Sequence, residues 1–301
     1  MAKPYDILIF GHPSRSVHVD YRGEVSSFIG GSIRYCVYSA LAGGNRVGAV
    51  IKYAPEDQPV CDTLPLPAED VYYCPSKRTA SIRSTFFTAD GERRRSDVLS
   101  TPDPFTPADI PDVRAGVFHI AGHMLGDLDP EVIVALSRRG PVCLDAQGLL
   151  RCPDETGEMV YRDWPEKKKY FPYLTYLKTD AAEAEVLTGL SDRREAARLI
   201  QSWGPREVMV SHNSEMLVCD GQNFAVWPVV ARNFSGRSGR GDTAIAAYLT
   251  ERLRKTMSDA LRYATAAVSL KMETPGPLRA SRAEIEAYME EFLPSAVSRG
   301  V

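Results

Sequence analysis

The sequence predicts an α/β fold of three layers, α/β/α, with helices on both faces of a mainly parallel sheet and a small β lid. Three observations predict it. Short apolar strand-like runs alternate with helical patterns through most of the 301 residues, the order that gives a parallel sheet covered by helices. Connections are short, and no internal repeat or long linker divides the chain, so one domain over 1–301 is expected. Two polar, weakly alternating stretches interrupt the pattern, at about 13–29 and 74–99, and are assigned to the lid.

The elements follow in order. Residues 5–11 read as a buried strand ending in glycine. Residues 32–43 carry Ile33, Cys36, Val37, Ala40 and Leu41 at helical spacing, with Gly43-Gly44 as the stop. Residues 46–51 are the next strand. Residues 80–88 and 93–99 flank Asp90-Gly91, a hairpin signal. After a proline-rich connection come strand 116–121, helix 130–137 and strand 141–145, which ends in a carboxylate. Strand 174–178, helices 180–188 and 195–203 and strand 207–211 continue the alternation. A hairpin over Asp220-Gly221 precedes helices 242–254, 258–271 and 282–293.

Composition excludes several classes. The chain is 44% hydrophobic and 25% charged, ordinary globular values. Lysine and arginine total 36 against 39 acidic residues, a net charge of −3. A general nucleic-acid or anionic-membrane partner, which needs a basic face, is not expected. No apolar run approaches the roughly 18 residues of a membrane span. Ile7 to Phe10 is too short for a signal-peptide core and reads as strand. The six cysteines include no C-x-x-C pair, so reduced thiols in the cytoplasm are expected rather than zinc or disulfides.

Chemistry concentrates in Gly236-Arg237-Ser238-Gly239-Arg240-Gly241-Asp242-Thr243, a glycine-rich turn running into an amphipathic helix. Glycines admit a close ligand, and free N–H groups at a helix start attract anions. Asp242 there reads either as a base beside a phosphate or as a capping carboxylate. No Walker A pattern occurs in the chain. Asp180 and Glu183 read as magnesium-organising carboxylates or as an acidic first turn. His119 and His123 are four apart about a strand, a poor metal pair, although His123 at the strand's end belongs in the crevice where open sheets bind ligands. Arg93-Arg94-Arg95 and Lys167-Lys168-Lys169 read as solvated runs, with one arginine left as a candidate for an anionic substrate. Arg15, Arg34 and Arg83 fall near the substrate side, and two of them converging would favour a charged substrate.

This stretch resembles the G-A-G-D signature of the ribokinase-like (PfkB) carbohydrate kinases. Other pieces fall in that family's order: Gly30-Gly31 as its sugar-binding glycine pair, Asp180-Ala181-Ala182-Glu183 as its N-x-x-E motif, Val210 to Asn213 as its nucleotide-strand end, and the helix 258–271 with KMETPGP as its adenine-contacting segment. Asp145-Ala146-Gln147, Leu-Leu-Arg151 and Lys178 to Glu183 are most similar to the inositol-kinase-like branch. The resemblance implies the ribokinase-like fold and transfer of the γ-phosphoryl of ATP, with magnesium, to a hydroxyl of a sugar, inositol or related polyol. It implies Asp242 as general base, with Gly239, Arg240 and Gly241 at the phosphoryl group. By the same resemblance, Glu183 and Asp180 would serve magnesium through water and phosphates. Gly30, Gly31, Ser16, Arg34 and His123 would lie toward substrate, and Ser211, Asn213, Lys178 and Gly276 toward the nucleotide. Ser16 and Tyr35 stand where the family has an acid and an asparagine, Arg240 replaces its alanine, and Gly236 stands where an acidic residue often precedes the motif. A nucleoside kinase of the same fold and a non-catalytic sugar-binding regulator are the alternatives. A homodimer paired through the lid is expected.

Overall fold

Period-two alternation along the first strand divides the interior into two cores. In β1 (Pro4–Gly11), Ile7 and Ile9 enter one and Leu8 and Phe10 the other. The structure is a computed structural model that describes residues 4–58, 63–88 and 93–294. After β1 come β2 (Ser14–Val19), β3 (Val25–Gly30), α1 (Ser32–Ala42), β4 (Val47–Tyr53), β5 (Val71–Pro75), β6 (Ala80–Phe86), β7 (Arg94–Ser100) and β8 (Arg114–Ile120). Then follow α2 (Glu131–Ser137), β9 (Val142–Asp145), α3 (Gln147–Leu150), β10 (Arg151–Pro153), β11 (Met159–Tyr161) and α4 (Lys167–Tyr170). The last part holds β12 (Tyr176–Asp180), α5 (Ala181–Thr188), α6 (Arg193–Gln201), β13 (Glu207–Ser211), β14 (Glu215–Cys219), β15 (Phe224–Pro228), α7 (Arg240–Arg252), α8 (Met257–Met272) and α9 (Arg282–Phe292).

The main sheet has the order β15-β14-β13-β12-β9-β8-β1-β4-β5. Its pairs are parallel from β13 to β5, and β14 and β15 add an antiparallel edge. One face is covered by α1, α7, α8 and α9, through residues such as Val37, Tyr248, Tyr263 and Ile285. The other is covered by α2, α5 and α6, through Leu136, Leu187 and Ile200. This is the expected α/β/α arrangement. Helices α8 and α9 begin at side-chain caps: Thr256 accepts from the Asp259 N–H, and Ser281 forms a reciprocal box with Glu284.

A second sheet, ordered β3-β2-β6-β7, is the lid. Its extent corrects the sequence boundaries. The lid strands cover 14–30 and 80–100, whereas Val71–Pro75 pairs in parallel with β4 as the edge of the main sheet. The β-rich run VYYCP continues that sheet, so the segment from 74 joins the lid only after Ser76 to Thr79. The Asp90-Gly91 turn lies outside the described residues, although Phe86 and Arg94 on either side are register partners. Val25, Phe87 and Leu99 are exposed on the lid, the surface on which the expected pairing of subunits rests. Among the described residues no helix is long and apolar enough to cross a membrane. The five described cysteines are free thiols.

Three parallel strands end in polar residues at one edge: β9 at Asp145, β12 at Asp180 and β13 at Ser211. Ligands bind open α/β sheets at these carboxyl ends. The start of α7 approaches the same edge, and the lid rises from it.

Candidate active site

The glycine-rich segment earns its shape at two positions. Gly239 caps α7 with φ +77°, a left-handed backbone, and its carbonyl accepts the first helical bond from Thr243 at 3.0 Å. A Cβ there would lie 2.1 Å from the Tyr35 ring. A Cβ at Gly236 would lie 1.9 Å from the Thr274 carbonyl oxygen. From α1, the Ser39 hydroxyl donates to the Thr243 carbonyl at 3.0 Å and anchors the start of α7. The result is a short run of backbone facing a cavity, with a helix N-terminus behind it.

Gly239→Ala tests this fit. A left-handed alanine costs roughly 1–2 kcal/mol and must also displace Tyr35. The variant is expected to fold with a lowered melting temperature and to lose about tenfold or more in kcat, because small displacements at a reacting centre are costly. Turnover within twofold of wild type would show that the run need not hold this shape.

The cavity measures about 830 Å³. Its walls include Asp242, Gly239, Arg240 and Gly241 from the α7 start, and Lys178, Asp180, Ser211 and Asn213 from the strand ends. Arg34 and Gly276 also line it. These predicted residues therefore meet in one place. Ser16, Gly30, Gly31, His123 and Glu183 are not among the lining residues. Gly31 serves the backbone, since φ is +97° and a Cβ would lie 2.3 Å from the His12 carbonyl oxygen. His123 is buried just beyond β8, its N–H bonded to the Asp127 carboxylate at 2.7 Å and both ring nitrogens unpartnered. Its pKa is pushed down to about 3, first by burial and then by Arg151 and His12.

Several lining residues escaped the sequence reading. The lid contributes His18, Phe28 and Phe86, whose rings meet edge-on at 4.6 and 5.1 Å. The run Arg93-Arg94-Arg95, from which the sequence keeps one arginine as a candidate for an anionic substrate, contributes Arg94 to the cavity wall, whereas Arg95 pairs with Asp97. Of the three arginines near the substrate side, Arg34 lines the cavity and Arg15 pairs with Asp57 at 3.0 Å. Arg237 and Arg279 border the cavity too. Gln147 does so from α3, and its amide reaches Ser32 Oγ at 3.4 Å and the Gly122 carbonyl at 3.3 Å.

Behind the wall lies a buried charge cluster. Lys178 Nζ is 3.1 Å from Asp145 Oδ2 and 3.7 Å from Glu183 Oε2. Burial opposes the charge of Lys178, but Asp145, Glu183, Asp180 and Asp242 together hold its pKa above the ordinary value. Its side chain also touches the backbone at Gly241, where a Cβ would lie 2.6 Å from Nζ. Asp180 and Glu183 form a reciprocal capping box, each N–H donating to the other's carboxylate at 2.8 Å. The pair therefore stands at the acidic start of α5, with Asp180 as the cap and Glu183 in the first turn. Asp180 faces the cavity, while Glu183 turns inward to Lys178. Among the described residues no three His, Cys, Asp or Glu side chains gather as a metal cage.

Asp242 lies in the first turn of α7, partly open to the cavity. Burial raises its pKa, and Lys178, a hydrogen bond from Ser32 and the charge of Arg151 pull it back. The Arg240 side chain donates to the Asn213 side-chain oxygen, and both residues line the cavity.

A glycine cradle at a helix start, a carboxylate in its first turn and a lidded cavity define, on this fold, a small-molecule phosphotransferase with a hydroxyl acceptor. Three solved structures of pyrophosphate-dependent kinases carry the same architecture. One, a sulfate complex, is 33% identical over 93% of this chain and 99% of its own, with TM-score 0.83. A second, with a pyrophosphate analog and myo-inositol, is 33% identical over 93% of this chain and 99% of its own, with TM-score 0.82. The third, a myo-inositol-1 kinase altered toward myo-inositol-3, is 31% identical over 96% of this chain and all 100% of its own, with TM-score 0.83. The chain belongs to the ribokinase family. An Arabidopsis thaliana ribokinase, 14% identical with TM-score 0.73 over 96% of this chain and 99% of its own, shares the fold. No protein-family model and no curated protein matches the chain.

Proposed function

We propose that the protein transfers a phosphoryl group from pyrophosphate to one hydroxyl of an inositol-like polyol, with Asp242 as the general base. The observation that carries the reading is the meeting of Asp242, the Gly239–Gly241 backbone and the strand-end cluster on one cavity wall. The acceptor hydroxyl gives its proton to the Asp242 carboxylate as its oxygen bonds the transferring phosphorus. The bridging P–O bond breaks, and orthophosphate leaves with the electron pair. N–H groups at the α7 start and the Lys178 charge behind Gly241 face the charge that spreads over the phosphoryl oxygens.

Two supports favour pyrophosphate over the ATP expected from sequence. Three relatives at 31–33% identity are described as pyrophosphate-dependent. Arg237, Arg240 and Arg279 border the cavity, and a guanidinium cluster suits a compact polyanion. For the acceptor, two of those relatives are described with myo-inositol. Gln147 and Arg34 offer the hydrogen bonds a ring of hydroxyls needs. Asp180 is the carboxylate that would hold magnesium, through water and donor oxygens, and Glu183 fixes Asp180 by the capping box. The ion when bound screens the negative charge of the donor.

Turnover is measured as orthophosphate from pyrophosphate and as ADP from ATP, across inositols, sugars and nucleosides. We expect kcat/KM at least about tenfold higher with pyrophosphate than with ATP, and an inositol preferred over any nucleoside. Faster turnover with ATP would return the donor to the nucleotide. A preferred nucleoside would replace the acceptor. Polyol binding without turnover under either donor would make the protein a sensor on a kinase fold.

A further inference from the structure

Lys271 belongs to no part of the mechanism above. It lies in the last turn of α8, the helix that packs along α7, and is 1% exposed. Lysines at this depth are rare, and each needs a partner. Its ammonium donates to the carbonyl of Gly236, at the head of the glycine-rich segment. The centre of the Tyr35 ring lies 5.5 Å away, and that ring also packs against Gly239. Burial draws the Lys271 pKa down to about 8, while the Asp242 carboxylate pulls it upward.

The surrounding contacts tie the same two segments together. The Gly236 N–H donates to the Met272 carbonyl at 2.7 Å, and the Ser235 hydroxyl to the Glu273 carbonyl at 2.7 Å. Arg232 pairs with Glu273. Gly236 has no room for a side chain, since a Cβ would lie 1.9 Å from the Thr274 carbonyl oxygen. In the resembling kinases an acidic residue often stands at this position. Here the position has no side chain, and a buried ammonium meets its backbone oxygen.

We propose that the Lys271 ammonium is a built-in cation that holds the Gly236–Gly241 segment in its phosphoryl-receiving shape, making Lys271 a positioning residue for the transfer. A cation does this where a neutral donor does not. It organises the Gly236 carbonyl and the Tyr35 ring face together, and Tyr35 in turn seats the left-handed Gly239. The proposal rests on family membership and is independent of the donor and of the role given to Asp242.

The test uses the full chain and whichever donor and acceptor the wild type turns over fastest. Lys271→Met keeps the length and removes the charge. It is expected to lower kcat about tenfold or more with acceptor KM within about threefold. Backbone amides of residues 235–241 should exchange with deuterium about tenfold faster, whether or not a substrate is found. Lys271→Ala leaves a space for a small cation, so added methylammonium should restore kcat and exchange protection saturably, with no such effect on the wild type. Wild-type kcat or wild-type exchange in folded Lys271→Met overturns the proposal. If Lys271→Met does not fold, Lys271→Ala decides: rescue by methylammonium supports the cation role, and no rescue overturns it.

Discussion

Asp242→Asn is expected to lower kcat by about 10²–10⁴-fold, the range for losing a positioned general base. Melting temperature should not fall. Burial raises the Asp242 pKa and Lys178, Ser32 and Arg151 oppose that rise, so an amide of the same shape removes a carboxylate that burial disfavours as an anion and keeps an acceptor for Ser32. Lys178 keeps Asp145 at 3.1 Å, so no unpaired cation is created. Acceptor KM should change little, because the proton moves only in the transition state. The pH profile adds a second readout. A base works as its anion, so wild-type kcat should rise with pH through the pKa of Asp242. Because that pKa is raised, the acid limb should lie above the ordinary carboxylate range. The asparagine variant should lack the limb. Retention of kcat within tenfold would remove Asp242 from the chemistry while leaving the family assignment intact.

What was legible in the sequence was local. Ile7 to Phe10 is a strand at first sight because a buried parallel strand is apolar on both faces. The run from Gly236 to Thr243 is legible because loop, helix start and carboxylate are contiguous. Three kinds of residue were hidden. His18, Phe28 and Phe86 sit on half-exposed lid strands, where an alternating pattern does not tell the cavity side from the solvent side. Arg94 lies inside a run of three arginines, and only the pairing of β6 with β7 brings it to the cavity. Lys271 and Lys178 look like ordinary lysines of a helix and a strand. Their burial follows from long-range packing, of α8 against the loop before α7 and of β12 between β9 and β13. The motif at Asp180 and Glu183 shows the converse: one spacing served two readings, and geometry joins them, with one carboxylate at the cavity and the other capping its backbone.

Lys178→Met should be the most destabilising single change in the site. The ammonium is 4% exposed and lies between Asp145 and Glu183, which are 1% exposed each. Removing one partner of a buried ionic cluster leaves charge without compensation, at a cost of about 3–5 kcal/mol. The measurement is the denaturant midpoint at several pH values. Burial already raises Asp145 to about 6 and Glu183 to about 7, with Lys178 as the main counterweight. For an acid raised above its unfolded value, stability is fully present below the unfolded pKa and is lost as pH rises through the folded one. Without Lys178 both folded values move higher, so the penalty grows toward alkaline pH and shrinks in acid as the carboxylates take up protons. The gap between wild type and variant should therefore be widest above about pH 7 and narrow below about pH 6. A gap of constant size across that range would mean that Lys178 stabilises by packing, not by charge. Activity should fall as well in the folded fraction, since the Gly241 backbone rests against the side chain that has been neutralised.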